Sequence, residues 1–272
     1  MPDDISDIRD FYDRGADEED ERLIRHQLEF DITLRFLNVY LPQNANVIEI
    51  GAGTGKYTEE LARRGFKVTA VDLSGNMIDR CTERLERAGL TDRVTTKVAD
   101  VRNLGDIGGP FDAALLMGPL YHLVESEDRK HALVAVSERL KTGGTVFTAW
   151  ISRFGIMGDL IKNLPAWIER EEEVEAILDE GRNPFGPRAG FRGYFTRVEE
   201  IVPAHEAVGF KTLVLAGVEP GISADDESYN KLQGSRREKW LDVLFRLSLE
   251  PSIIAASRHL LYIGRKAADP GA

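Results

Sequence analysis

A glycine-rich turn is the part of the sequence with the clearest chemical meaning. Residues 47–56 read VIEIGAGTGK, an apolar run followed by alternating glycines. Glycine permits a tight turn and a close approach by a ligand, and a helix opening there directs backbone N–H groups at the ligand. Dinucleotide-binding turns follow G-x-G-x-x-G. Here Lys56 occupies the position of the third glycine, so the turn is tight but not built for a pyrophosphate.

Two aspartates follow the next two apolar runs. Asp72 closes the run at 68–71, where a carboxylate can accept two hydrogen bonds from a ribose diol, each charge-assisted bond contributing roughly 1.5–3 kcal/mol. Asp100 closes the run after that, at the same sheet edge, where ligands bind in open α/β folds. Asp100 and Val101 are therefore predicted to hold an adenine by its amine and a ring nitrogen.

The elements that position these residues alternate between strands and helices. Strands are predicted at 46–50, 67–71, 94–99, 111–117, 145–151, 211–218 and 259–265, and helices at 23–41, 57–64, 74–89, 126–140, 198–208 and around 236–249. Parallel strands joined by helices need right-handed crossovers over a helix-covered sheet. The fold class predicted is α/β, a doubly wound, mostly parallel seven-stranded sheet, Rossmann-like, with helical cap insertions.

The domain organisation is predicted from the places where the alternation of strands and helices is interrupted. We predict one domain over 1–272, and its core covers about 40–151, 196–218 and 259–266. The cap is assigned to 1–30, 153–195 and 219–258. The acid-rich start of the chain has apolar residues at helical spacing, so part of it should dock on the core: Ile5, Ile8, Phe11 and Tyr12.

These motifs together resemble class I S-adenosylmethionine-dependent methyltransferases. The matching features are Glu-x-Gly-x-Gly-x-Gly at 49–55, Asp72, the pair at 99–100, Phe111-Asp112 and the turn at 140–144. The resemblance implies that the glycine loop faces the methionine part of the cofactor. It also implies that Asp72 binds the ribose of the cofactor and that Asp100 and Val101 bind its adenine.

A second resemblance concerns residues 117–123, Met-Gly-Pro-Leu-Tyr-His-Leu, which look like the version found in bacterial small-molecule methyltransferases. It implies that the end of the fourth strand lies beside the sulfonium and that Tyr12 and Arg22 approach the methionine end. Met77 is either an adenine contact or a helix-core residue. The predicted cofactor contacts are Tyr12, Arg22, Glu49, Gly51, Ala52, Gly53, Gly55, Asp72, Leu73, Met77, Asp100, Val101, Met117 and Gly118.

His122 and Tyr121 are the predicted catalytic residues. A histidine titrates near neutral pH, and His122 sits just beyond the fourth strand. A base is needed only if the acceptor carries a proton that it does not lose by itself. His122 can therefore be a base, a residue that contacts substrate or orients Tyr121, or a packing residue.

Composition narrows the partners. Of 272 residues 42% are hydrophobic, and 35 basic against 46 acidic residues leave a net charge of −11, without the basic run that nucleic-acid binding favours. No apolar run could span a membrane, and the acidic start is unlike a signal peptide, so a cytoplasmic protein is expected. Cys81 stands alone, and no histidines have zinc-type spacing, so no metal is predicted. His131 and His205 are expected to be solvated.

The function predicted is methyl transfer from S-adenosylmethionine to a small-molecule acceptor, by direct displacement at the sulfonium methyl. One alternative is a protein that binds S-adenosylmethionine or S-adenosylhomocysteine without catalysis. Others are a Rossmann oxidoreductase, which the glycine spacing disfavours, and methylation of a macromolecule. The sequence at 117–119 is unlike the Asn/Asp-Pro-Pro-Tyr motif of amino methylation. The acceptor, its reacting atom and the oligomeric state do not follow from the sequence.

Overall fold

The structure, a computed structural model, describes residues 3–15, 25–183, 192–221 and 225–268. In those ranges no helix has both the length and the apolar character needed to cross a membrane. The predicted start of a long helix at residue 23 and the predicted contact Arg22 lie outside the described residues.

A seven-stranded sheet forms the centre of the molecule, in the order β3-β2-β1-β4-β5-β9-β8. The first five strands run parallel, and β9 runs antiparallel between β5 and β8. The predicted fold is confirmed. The strands are β1 (Asn46–Ile50), β2 (Lys67–Asp72), β3 (Val94–Val98), β4 (Phe111–Leu116), β5 (Leu140–Ile151), β8 (Phe210–Gly217) and β9 (His259–Lys266), and a separate pair is β6 (Arg182–Asn183) with β7 (Gly193–Tyr194).

Helices cover both faces of this sheet. They are α1 (Ser6–Arg14), α2 (Gln27–Tyr40), α3 (Lys56–Arg63), α4 (Gly75–Ala88), α5 (Pro119–His122), α6 (Ser126–Arg139), α7 (Ile156–Asn163), α8 (Glu171–Glu180), α9 (Val198–Glu206), α10 (Asp226–Asn230), α11 (Gly234–Leu247) and α12 (Pro251–Ile254). Alternate residues of a strand point to opposite faces. Val47 accordingly packs in one core with α2 and α11, and Ile48 in another with α6 and α9.

The helix α4 illustrates how local sequence sets these boundaries. The Ser74 hydroxyl accepts a hydrogen bond from the Met77 amide, which satisfies one free N–H of the first turn. Gly89 ends the helix in the left-handed conformation, at φ 68°. The sequence predicts a helix over 74–89, and the observed helix agrees with that range.

Two expectations about individual elements are wrong. Strand β5 begins at Leu140 rather than Thr145, because Leu140 pairs with Phe111 and residues 141–144 loop out before Thr145 pairs with Ala113. His205 is not solvated: it is fully buried, its ring stacks on Tyr262 at 3.6 Å, and the Thr148 hydroxyl hydrogen-bonds to it at 2.9 Å.

Candidate functional site

A cleft with about 980 Å³ of space between its walls, part of it open to solvent, lies at the carboxyl edge of the parallel strands. It is lined by α1, by the ends of β1 and β2, by the segments that follow β1, β2, β3 and β4, and by the helices α3 and α5. The predicted residues in this lining are Tyr12, Glu49, Gly51, Ala52, Gly53, Asp72, Leu73, Asp100, Val101, Met117, Gly118, Tyr121 and His122. The topology therefore brings together residues that lie far apart in the sequence.

Two backbone amides of the glycine turn are hydrogen-bonded to the end of strand β2. The amides of Gly51 and Ala52 donate to the Val71 carbonyl, at 2.8 and 3.0 Å. Gly51 has a φ of 76°, and a Cβ there would lie 2.5 Å from Pro119 Cδ. Glycine at this position thus allows the start of α5 to pack on the turn. These amides serve the fold, which differs from the expectation that they point at a ligand.

Asp72 joins the turn to the cleft. One carboxylate oxygen accepts the Gly53 amide at 2.8 Å, and the other accepts the Ser74 amide at 2.9 Å. Asp72 is both a structural support for the turn and a lining residue.

Asp100 is held by a residue that the sequence reasoning missed. The Arg102 guanidinium donates to both Asp100 oxygens, at 2.7 to 3.2 Å, and reaches Asp128 at 2.9 Å. Arg102 also donates to the Asp3 carbonyl at 2.8 Å, which ties the start of the described chain to the end of β3. An arginine two positions after the acid was the available signal.

Glu49 is a buried acid in the wall of the cleft, 1% exposed. Burial raises the pKa of Glu49 to about 8; the Thr58 hydroxyl, which donates to it at 2.5 Å, opposes this, and the neighbouring Asp72 adds to it. Glu49 is therefore largely protonated at neutral pH in the protein without a ligand.

Tyr12 and His122 form a hydrogen-bonded pair in the cleft. The Tyr12 hydroxyl lies 2.6 Å from His122 Nε2, and His122 Nδ1 lies 3.2 Å from the Arg192 carbonyl. A carbonyl only accepts, so His122 Nδ1 carries a proton; in the neutral form of the ring, Nε2 then accepts the hydrogen bond from the Tyr12 hydroxyl. The Tyr121 ring lies 4.9 Å from the His122 ring, and its hydroxyl donates to the Met117 carbonyl at 3.5 Å.

Some expected residues lie elsewhere. Gly55 is outside the cleft lining; its φ is 85°, and a Cβ there would lie 2.4 Å from Cys81 Sγ, so the glycine serves packing. Met77 is fully buried in α4 and does not line the cleft, which agrees with the helix-core alternative. Aromatic and arginine side chains at the end of the fifth strand and beyond it also lie outside the lining: Trp150, Arg153, Trp167, Arg192 and Tyr194.

Other lining residues had not been predicted as site residues. Ile5 and Ile8 bring the apolar face of α1 over the cleft, and their helical spacing was the signal. Lys56 and Tyr57, at the start of α3, also line it, and Phe30 of α2 packs on Tyr57 with ring centres 4.9 Å apart. A helix pair that meets only in the folded chain leaves no local signal in the sequence.

Comparisons with known proteins agree with this arrangement. Residues 47–144 match a family model described as a methyltransferase domain. A ubiquinone biosynthesis O-methyltransferase of Caulobacter vibrioides is 32% identical over 111 residues, which is 41% of this chain and 42% of that protein. The chain spans half or less of the length of the curated relatives that it matches.

Solved structures share the fold over most of the chain. A protein of Methanosarcina mazei described as a SAM-dependent methyltransferase has a TM-score of 0.61 at 17% identity, covering 86% of this chain and 98% of that one. A structure described as the [4+2]-cyclase SpnF has a TM-score of 0.56 at 16% identity, covering 86% and 82%. At such identities the likeness establishes the fold, and the second example warns that one fold can serve more than one activity.

Proposed function

We propose that this chain, whose residues 47–144 match a methyltransferase-domain family model, is a class I S-adenosylmethionine-dependent methyltransferase that transfers the cofactor's methyl group to a small-molecule acceptor. The observation that carries the proposal is the single cleft that the glycine turn, Asp72, Asp100 and the Tyr12–His122 pair share. When bound, the cofactor supplies a methyl group activated by a positive sulfur.

The residues of the cleft fit such a cofactor. A Cβ at Gly51 would collide with Pro119, so the backbone there stays bare beside the cleft. We assign the ribose diol of the cofactor to Asp72 and its adenine to Asp100 and Val101. We assign the methionine end to the wall formed by Glu49, Gly51, Ala52 and Gly53, with Met117 and Gly118 near the reacting methyl. Gly55 is assigned no contact with the cofactor, only a role in the shape of the turn.

The chain's own contribution to methyl transfer is alignment and exclusion of water. Bringing a nucleophile to the methyl in line with the sulfur can supply much of the acceleration. The α1 helix places Ile5 and Ile8 over the cleft, and we propose that it forms the cap together with 153–195 and 219–258. An apolar cover keeps competing water from the methyl.

The Tyr12–His122 pair is the proposed acceptor side of the site. Neutral His122 holds the Tyr12 hydroxyl through Nε2, and the Arg192 carbonyl fixes the ring by Nδ1. An acceptor that keeps its proton until transfer can pass it to Tyr12 as Tyr12 passes its own to His122 Nε2. Tyr121 is proposed to position His122 by ring contact.

The relatives' names leave the reacting atom of the acceptor open. The Caulobacter relative is named an O-methyltransferase, but its match covers 41% of this chain. Net charge of −11 favours a small molecule over nucleic acid. Binding of the cofactor without methyl transfer is the competing proposal, because a structure described as a [4+2]-cyclase shares the fold and the fold alone therefore does not assign methyl transfer.

The proposal is tested by following S-adenosylhomocysteine release from S-adenosylmethionine in the presence of a panel of small phenols, amines and thiols. Turnover that depends on one acceptor class, with a methylated product of the expected mass, supports the proposal. Binding of the cofactor with methylation of total protein or RNA instead of any small molecule would contradict it.

The acceptor-side pair has its own test, Tyr12→Phe and His122→Gln with the productive acceptor. We expect kcat to fall about 10²-fold or more in His122→Gln, with little change in cofactor affinity. Equal losses in kcat and in cofactor affinity would mean that His122 serves binding.

A further inference from the structure

A second group of titratable side chains lies at the same sheet edge, outside the cleft. His259 opens β9 and pairs with Ile151 at the end of β5. Glu219 follows β8, and Glu29 lies in the first turn of α2. Because strands lie roughly 4.8 Å apart, β9 is roughly 10 Å from β4 across the sheet. None of these three described residues lines the cleft.

The three side chains converge on one point. His259 Nδ1 lies 3.1 Å from Glu219 Oε2 and 3.5 Å from Glu29 Oε2, and all three ligand atoms lie within 4.8 Å of one another. Bonds of roughly 2.0–2.2 Å to a tetrahedral ion place its ligand atoms roughly 3.3–3.5 Å apart. The two separations from His259 Nδ1 are close to that spacing, and the two carboxylate oxygens lie within 4.8 Å of each other.

Burial makes this convergence unusual. The exposed fractions are 5% for Glu29, 1% for Glu219 and 8% for His259. Two carboxylates that meet away from water repel each other, which costs free energy unless cations or N–H donors compensate their charge. Glu219 has such partners, because it contacts the Arg258 guanidinium and accepts the His259 amide at 2.9 Å. Here the pair shares an imidazole nitrogen, the ligand type that first-row transition metals combine with carboxylates.

An adjacent trio, His26, Glu219 and Asp226, also has converging ligand atoms, but an arginine fills it. Arg258 Nη2 lies 2.8 Å from His26 Nδ1 and 3.4 Å from Asp226 Oδ2, and it contacts Glu219 Oε1. Its guanidinium therefore takes the place of an ion in that trio. It also holds Glu219 so that Oε2 faces His259, as outer hydrogen bonds orient metal ligands.

We propose that Glu29, Glu219 and His259 form a binding site for a first-row divalent transition-metal ion. The ion joins α2 to the start of β9 and to the segment after β8. Phe30, the residue after Glu29, packs on Tyr57 in the wall of the cleft. The site thus fixes the helix that supports this wall. Histidine spacing gave no sign of it, because its ligands are far apart in the chain.

The test uses the full chain, stripped by a chelator and titrated with Co²⁺ while its visible absorption is recorded, with Zn²⁺ as competitor. We expect one equivalent of Co²⁺, displaced by Zn²⁺, and a higher unfolding temperature with either ion. Glu29→Gln and His259→Gln should each weaken Co²⁺ binding at least about tenfold. Asp226→Asn, in the neighbouring trio, should change it by less than about threefold.

Three results would overturn the proposal. They are wild-type protein that takes up no Co²⁺, binding unchanged in both ligand variants, and binding lost only in Asp226→Asn. Thermal unfolding without metal identifies a variant that fails to fold, and the two ligand variants check each other. The readouts involve no S-adenosylmethionine, so metal binding and methyl transfer can fail separately.

Discussion

Asp72 has two tasks at the residue scale, and the structure separates them. Its carboxylate accepts the Gly53 and Ser74 amides, and it also lines the cleft where a ribose is proposed. The sequence indicated the second task from the position of an acid after β2. It could not indicate the first, because those hydrogen bonds depend on the folded turn.

Replacing Asp72 tests both tasks. Asp72→Ala should weaken S-adenosylmethionine binding by about 2 kcal/mol, some 30-fold, measured by calorimetry. It should also lower the free energy of unfolding by about 1–3 kcal/mol, since two amides lose their acceptor. Asp112→Ala is the matched control: Asp112 accepts the Asn46 amide at the opposite end of β1, away from the cleft. Unchanged affinity in Asp72→Ala would remove the ribose assignment.

Glu49 makes the stability of the protein depend on pH. Its folded pKa of about 8 exceeds its ordinary value of 4.5, so between these values the folded state keeps a proton that the unfolded state releases. The free energy of unfolding therefore falls as pH rises through this window, by up to about 1.4 kcal/mol per pH unit from this group. Below about pH 4.5 the contribution is fully present.

Glu49→Gln removes this titration and keeps the side-chain size. Urea unfolding from pH 5 to about 8.5 should show the variant gaining stability relative to wild type as pH rises, with the gain levelling off above about pH 8. Glu60→Gln, on the outer side of α3, is the control. Parallel curves for Glu49→Gln and wild type would contradict a raised pKa.

At the scale of elements, the order of strands and helices could be predicted well, because hydrophobic periodicity and helix-capping residues are local features of a sequence. The helix α4 lies within the predicted range 74–89, with Ser74 before its first residue and Gly89 after its last. The exceptions are tertiary in origin: the bulge at 141–144 depends on pairing with β4, and the buried His205 depends on Tyr262 of β9. For the same reason the Glu29–Glu219–His259 group could not be predicted from spacing, whereas the Arg102–Asp100 contact is local and had a signal in the sequence.

Close packing between α3 and α4 gives a prediction at this scale. Gly55→Ala adds a Cβ that would lie 2.4 Å from Cys81 Sγ at a φ of 85°. We expect about 1–3 kcal/mol of destabilisation from overpacking in addition to backbone strain. Gly65→Ala, at φ 93° with no atom within 4 Å of the added Cβ, carries the strain alone. Equal losses of stability in urea for the two variants would exclude the Cys81 clash.

At the scale of the whole molecule, one sheet edge concentrates the chemistry. The turns after β1, β2, β3 and β4 form the cleft with α1, and His259, one of the proposed metal ligands, opens β9. Ligands bind at this edge in open α/β sheets because the helices and turns diverge there. The fold is shared with proteins of different described activities, so the identity of the ligand carries the functional claim.

The most direct test of that claim is calorimetric titration of the purified protein with S-adenosylmethionine, S-adenosylhomocysteine and NAD. The account predicts micromolar binding of both sulfur compounds at one site and no binding of NAD, because the glycine turn is not shaped for a pyrophosphate. Binding of NAD with no response to either sulfur compound would contradict it.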